Sequence, residues 1–293
     1  MTQSTTLIKA GKILDTVGAM QSNMTRVGQR IAGFILATPD KVTRLSIADL
    51  SQEVDVGEAS IIRFCRTMGY KGFQDFKMDL AIELATTDSQ DSNTLLDAEI
   101  SDTDDAHTIG LKLQSTINNV LSETLNLLDM HQVEQVVEAL HTSRMIAIFG
   151  VGSSGVTATE MKHKLMRIGL QVDAETNNHF MYMQAALLKA GDVAIGISHS
   201  GDAPETVHAL KLAKQSGAVT VALTHNLGSP VSDAADFCLI NGNRQGRLQG
   251  DSLGTKTAQL FVLDLIYTLL VQKDPERAMT NKLRTMDALC GQK

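Results

Sequence analysis

From residue 145 onward five short apolar runs recur, mostly at helix-length intervals: MIAIFG (145–150), LQVDAE (170–175), DVAIGIS (192–198), VTVAL (219–223) and DFCLI (236–240). Runs this short and apolar on both faces belong to strands covered on both sides, and strands joined through helices run parallel. The pattern demands an α/β domain with a parallel sheet covered by helices. Two helical segments, 106–128 and 131–141, lead into it. In such sheets the ligand-binding loops gather at the carboxyl ends of the strands.

Before residue 86 the period changes. Apolar residues fall at helical spacing between turn signals and no period-2 strand is evident, so this part reads as all-α. Val27, Ile31, Phe34 and Ile35 mark one amphipathic helix, which stops near Pro39 because the residue before a proline is driven out of helical geometry. At 46–53, Ser46 is placed to cap a helix, and Asp49 falls where a carboxylate suits the exposed amides and dipole of the first turn. A break at 54–57 leads to a helix over 58–68, and Gly69 suits its end because glycine takes left-handed geometry at little cost.

The two patterns meet in TTDSQDSNTLLDAEISDTDDA (86–106), polar and acidic as interdomain linkers are. The chain thus reads as a helical domain over 1–86, a linker over 87–106 and an α/β domain over 107–293, long enough for each domain to bury a core. The net charge of −7 is unevenly spread. Residues 1–86 carry ten Lys/Arg against nine Asp/Glu, 87–106 carry seven acids and no base, and 107–293 carry sixteen bases against seventeen acids. Since an anionic partner needs only locally clustered bases, the overall acidity does not exclude one. No run of about 18 apolar residues and no signal peptide is evident, which predicts a cytoplasmic chain without a membrane partner. Cys65, Cys238 and Cys290 are odd in number and far apart, so neither a disulfide framework nor a zinc site is expected, and no metal or cofactor is called for. The methionines, among them Met161, Met166, Met181 and Met183, read as core filling.

The segment 46–81 has the anatomy of a helix-turn-helix. Ile61, Ile62, Cys65 and Met68 can face the core, which leaves Glu58, Ala59, Ser60, Arg63 and Arg66 for solvent or for a major groove about 12 Å wide. A helix with two outward arginines is often merely solvated, but RFCRTMGYKGFQDFK closely resembles the RpiR family of bacterial regulators, without gaps over 46–84. The resemblance implies double-stranded operator DNA as partner, with Ser60, Arg63, Arg66, Lys71 and Lys77 as candidate contacts. Gly57 stands where that family usually has serine at the cap of the recognition helix, and Ser60 where it has threonine.

In the second half, FGVGSSG (149–155) follows the first strand and opens a helix. Gly150, Gly152 and Gly155 satisfy GxGxxG, with Asp173 and Glu175 about 20 residues on, so a nicotinamide dinucleotide site is a legitimate rival. ISHSGDAPET (197–206) separates the two readings: its serines and amides converge on a helix start, a seat for a phosphate dianion that a dinucleotide fold does not require. Together GVGSSG and SHSG resemble a SIS domain, the sugar-isomerase fold found C-terminally in RpiR regulators, and KLMRIG (164–169), 219–239 and 254–267 extend the likeness.

That resemblance implies phosphate contacts from Gly152, Ser153, Ser154, Ser198 and Ser200 with Thr206 nearby, and possible reach from His179 and Lys256. Ala203 replaces the threonine of the common SxSGxT pattern, which removes one phosphate hydroxyl. The effector implied is a phosphorylated sugar or sugar acid. An aldose-ketose isomerase is the alternative, for which Glu160, Glu205, His163 or His179 could act as base. Against it stands the helix-turn-helix, which has no role in sugar chemistry. Two recognition helices one turn of DNA apart need a homodimer or homotetramer, and 258–271 is a candidate for core or subunit contact.

Overall fold

The computed structural model describes residues 13–87, 101–242 and 253–291, which form two compact units dividing between Asn119 and Val120. Most of the stretch predicted as a linker lies outside the described residues.

The first unit contains α1 (Ile13–Met20), α2 (Arg26–Ala37), α3 (Pro39–Arg44), α4 (Ile47–Glu53), α5 (Glu58–Thr67), α6 (Phe73–Thr87) and the start of α7 (Ala106–Leu127). Its helix ends are written in the side chains. The Thr25 hydroxyl accepts from the Gly28 amide at 3.2 Å and starts α2. Pro39 both ends α2 and opens α3, where its fixed φ and missing N–H cost nothing. Ser46 and Asp49 cap α4 reciprocally: the Asp49 amide donates to the Ser46 hydroxyl at 3.1 Å, and the Ser46 amide to the Asp49 carboxylate at 3.2 Å. Gly69 closes α5 with φ 89°.

Ile31, Ile35, Leu50, Ile61, Phe64, Cys65, Met68, Phe76 and Leu80 form the core of this unit. The Phe76 ring meets Phe64 edge-on at 6.2 Å and Tyr70 at 5.3 Å. Ile62, predicted to face the core, is only half-buried, and Phe64 takes that place. Positions 61, 64, 65 and 68 complete the i, i+3, i+4, i+7 stripe.

The second unit continues through α8 (Met130–Thr142), β1 (Ile146–Phe149), α9 (Ser153–Arg167), β2 (Val172–Glu175), α10 (Asn178–Leu187), β3 (Val193–Ile197), α11 (Pro204–Gln215), β4 (Val219–Thr224), α12 (Pro230–Ala234), β5 (Phe237–Ile240), α13 (Leu253–Lys273) and α14 (Pro275–Cys290). The strands pair in parallel in the order β2-β1-β3-β4-β5. One face carries Ile146, Ile148, Val193, Ile195, Ile197, Val221 and Leu223 against α8, α9 and α13. The other is lined by Ala147, Ala194, Ala222 and Gly196 under α10, α11 and α12. A Cβ on Gly196 would stand 2.6 Å from Leu210 Cδ1, so α11 approaches closely because that residue has no side chain.

β2 is half-buried along its length, as an edge strand is, and the exposed Met166 and Met183 do not fill the core as predicted. Among the described residues one segment, Gly254–Lys273, is long and apolar enough to cross a membrane by length and composition, contrary to the sequence expectation. Its Ala258, Val262, Leu263, Ile266 and Leu270 are buried, the last four within the core on one face of the sheet.

Candidate functional site

The turn between α4 and α5 sets out one candidate surface. Gly57 caps α5 with extended backbone (φ −68°, ψ 145°) and no side-chain bond to the helix. Arg63 and Arg66 are exposed, and the Arg63 guanidinium reaches the half-buried Ser60 hydroxyl at 3.4 Å. Arg66 and Lys71 line a hollow of about 440 Å³ with Ile47, Ile62, Gly72, Phe73, Gln74 and Asp75. Lys77 is held differently: its ammonium donates to the Leu45 carbonyl at 3.1 Å and lies 5.7 Å from the Phe73 ring centre. Arg30 and Lys41 pair with Asp55 at 3.1 Å and Glu53 at 2.7 Å.

In the second unit the strand order puts β1 and β3 side by side, with Phe149 in register with Gly196, and the chain leaves them in opposite directions. The two serine loops follow these neighbouring strands, at the switch point where open α/β sheets hold ligands. Gly152 takes φ 57° and ψ −129°, open only to glycine, and turns the chain into α9, which Ser153 and Ser154 begin. Gly155 lies so near the Gly150 carbonyl that a Cβ would stand 2.9 Å from it.

The loop after β3 is firmly held. The Ser198 amide still belongs to the sheet, donating to Leu223 at 3.1 Å, and its buried hydroxyl accepts from the Gly201 amide at 3.2 Å. The His199 carbonyl accepts from the His225 amide and the Thr224 hydroxyl, both at 3.1 Å. The Ser200 carbonyl accepts from Asn226 Nδ2 at 3.0 Å. Gly201 (φ 75°) packs so tightly on Ser229 that a Cβ would meet its Oγ at 2.1 Å. Ser200 itself is exposed, its hydroxyl accepting from the Asp202 amide at 3.3 Å.

Of the other predicted residues, Thr206 is fully buried in the first turn of α11, and its hydroxyl meets no hydrogen-bond partner among the described residues. His179 is exposed in the first turn of α10, beyond β2 and therefore two strands from the loop after β3. Lys256 is half-buried on α13 beside Thr255, whose hydroxyl is 3.4 Å from His199 Nε2.

Sequence reasoning missed the residues packed behind the serine loops. His225 stacks on His199, ring centres 5.6 Å apart and planes at 24°, and its Nδ1 donates to the Asn241 carbonyl at 3.1 Å. Burial pushes the His225 imidazole below the ordinary histidine range, against the opposing pull of that carbonyl. One turn beyond Thr255, Gln259 accepts from the Thr157 hydroxyl of α9 at 3.0 Å. The motif THN (224–226) was the available signal, but only the sheet order makes it a neighbour of the serine loop.

This order also decides the dinucleotide alternative. In the dinucleotide fold the third strand lies outside the second, whereas here β3 adjoins β1. Asp173, the candidate ribose acid, lies within β2 and is engaged by Lys162 at 2.5 Å and by Gln184 at 3.2 Å. Of the isomerase candidates, His163 is ten residues along α9 from Ser153, about 15 Å at a helical rise, and points to solvent.

The family model for the helix-turn-helix domain of the rpiR family matches residues 11–87, and that for the SIS domain matches residues 139–269. A Haemophilus influenzae protein described as an uncharacterized HTH-type transcriptional regulator is 55% identical over 98% of this chain and 99% of its own. Among solved structures, the Vibrio vulnificus NanR protein complexed with ManNAc-6P is 26% identical with a TM-score of 0.60, over 96% of this chain and 99% of that one. The sugar isomerase domain of an RpiR transcription factor from Sphaerobacter thermophilus, also 26% identical, has a TM-score of 0.57 over 61% of this chain and 98% of its own.

Proposed function

This chain belongs to the rpiR family of helix-turn-helix regulators, with a SIS domain after its helix-turn-helix, and from that premise we propose that a phosphorylated sugar or sugar acid in the SIS domain controls its hold on operator DNA. The observation that carries the reading is the pairing of two serine loops on adjacent parallel strands, β1 and β3. Ser153, Ser154, Ser198 and Ser200 offer phosphate oxygens their hydroxyls, joined at the start of α9 by the amides of its first turn. Gly152 shapes the first turn, Thr206 supports the second from beneath, and Lys256 and His179 lie at the margins.

Arg63, Arg66 and Lys71, with Ser60, meet the DNA, and Lys77 sets the geometry from behind them. The protein works in the cytoplasm as a homodimer or homotetramer, so that paired recognition helices meet half-sites about 34 to 36 Å apart. Residues 1–86 form the DNA-binding domain, 87–106 the linker and 107–293 the effector domain. Coupling of about 1 to 3 kcal/mol between the two sites changes operator affinity some 5- to 150-fold. The protein is a switch and not an isomerase, because the helix-turn-helix serves no step of sugar chemistry.

The test is a gel-shift assay on the protein's own upstream region, joined to a thermal-shift screen of sugar phosphates. ManNAc-6P, the ligand of the NanR relative, belongs first in the panel. Ligand at about 100 times its Kd adds roughly 2.7 kcal/mol of stability. No sequence-selective retardation at modest salt, or no shift with any sugar phosphate, sinks the proposal.

A further inference from the structure

Ile62 is neither core nor plain surface. The buried stripe of α5 runs through Ile61, Phe64, Cys65 and Met68, and its outward face carries the exposed Ala59, Arg63 and Arg66. At about 3.6 residues per turn, Ile62 falls on the flank between the two, and it is half-buried there. It lines the hollow of about 440 Å³ together with Ile47 of α4 and Phe73 of α6. That space far exceeds the share of one water, about 30 Å³. A Cβ on Gly72, also in the lining, would meet nothing within 4 Å.

The cations at this hollow are uncommitted. Among the described residues Arg66 and Lys71 have no ion-pair partner, whereas Arg30, Lys41 and Lys77 are engaged elsewhere. The one acid in the lining, Asp75, accepts from the Lys71 amide at 3.1 Å and is committed to the start of α6. An occupant that suits the hollow therefore offers carbon to three apolar side chains and negative charge to two cations.

A helix about 10–12 Å across fills a major groove about 12 Å wide, so a recognition helix lying there presses its flanks on the sugar-phosphate walls. Each wall repeats an apolar sugar between two anionic phosphates, and on the major-groove side a deoxyribose shows its C2′ and C3′ carbons. We propose that the hollow seats one deoxyribose of the operator against Ile47, Ile62 and Phe73, with the phosphates flanking that sugar held by Arg66 and Lys71. The inference rests on the operator-DNA reading and deepens it in two ways. The seat fixes the register of α5 along one strand, as backbone contacts do. It also selects DNA over RNA, because a 2′-hydroxyl in an apolar seat loses water and gains no partner.

The test uses the full chain and a duplex from its own upstream region that it retards. Each nucleotide is replaced in turn by its ribonucleotide, and binding is measured for wild type and Ile62→Ala between about 50 and 200 mM salt. In the wild type one sugar position per half-site should cost about fivefold or more in affinity, the penalty of an unmet hydroxyl. Ile62→Ala should bind about tenfold more weakly at every salt concentration, since the lost contact is apolar, and should tolerate the ribose. Should that variant not melt cooperatively, the ribose scan of the wild type decides alone. A scan without a sensitive position, or a folded Ile62→Ala that binds as tightly as wild type, overturns the seat, leaves operator binding standing and assigns the hollow to a protein partner. A ribose penalty undiminished in Ile62→Ala overturns the seat too, whereas no sequence-selective retardation overturns both readings.

Discussion

The ammonium of Lys77 donates to the carbonyl of Leu45 at 3.1 Å, which ties α6 to the residue that ends α3 and precedes the Ser46 cap. A lysine so engaged acts on DNA binding through the placement of α4. Lys77→Met should cost about 1 kcal/mol of stability, the worth of one charged bond at a half-exposed site. Operator affinity should fall with the salt slope unchanged, whereas Arg66→Gln should lower that slope by about 1. Equal slope changes in the two variants would show that Lys77 touches phosphate.

Arg63→Ala should weaken operator binding by about 1 to 3 kcal/mol and leave the thermal shift with sugar phosphate intact. Ser200→Ala should do the reverse, since its exposed hydroxyl lies on the ligand loop and not on α5. Gel shifts and melting curves on both variants check this, and identical behaviour would refute the division of labour.

Gly57 caps α5 without a side chain, its φ of −68° is open to any residue, and a Cβ there would meet nothing within 4 Å. Gly57→Ser should therefore stabilise the protein by a few tenths of a kcal/mol, through a new cap and a less flexible unfolded chain. A raised denaturation midpoint is the readout, and a lowered one would count against the extended cap geometry.

Gly152 has open space around it but a backbone that side chains avoid. Gly152→Ala should cost about 1 to 2 kcal/mol in strain and displace Ser153 and Ser154, so ligand stabilisation should drop more than intrinsic stability does. Unaltered ligand affinity would remove the first loop from the site.

Two kinds of group set the pH dependence of the second unit. Burial works to raise the Asp236 carboxyl, but bonds from Lys214 at 2.8 Å and from the Thr220 amide and hydroxyl at 2.9 Å outweigh it, so it titrates below the usual range. Asp173 follows suit: burial is outweighed by Lys162, the Ala174 amide and Gln184. Stability from such carboxyls is present above about pH 4 and lost as pH falls through their folded values. His225 acts sooner. Its lowered basicity means that below about pH 6.5 the unfolded chain binds a proton which the folded ring refuses. Denaturant midpoints across pH 7.5 to 3 should fall in two stages, and Asp236→Asn should shrink only the second.

Strands β1 and β3 were legible because a strand buried on both faces leaves an uninterrupted apolar run, and IAIF and VAIGI are such runs. The helix α3 was not, since Pro39 signals a stop to the preceding helix as strongly as a start to its own. Phe64 escaped notice because Ile62, three residues before Cys65, gives an almost equally good apolar stripe when the wheel is read without its neighbours. The serine loops carried their own chemistry in sequence. Thr157 and Gln259, 102 residues apart, could be joined only once α9 and α13 were seen to pack on one face of the sheet.

The Ser198 amide remains in the β3–β4 ladder, so the floor of the cleft is as stiff as the strand that carries it. A floor that cannot yield holds the Ser198 hydroxyl in one place whatever sugar the phosphate carries. Retuning this protein from one sugar to another then falls to side chains beyond the ladder, such as the exposed His179, which can change while the anchor stays put.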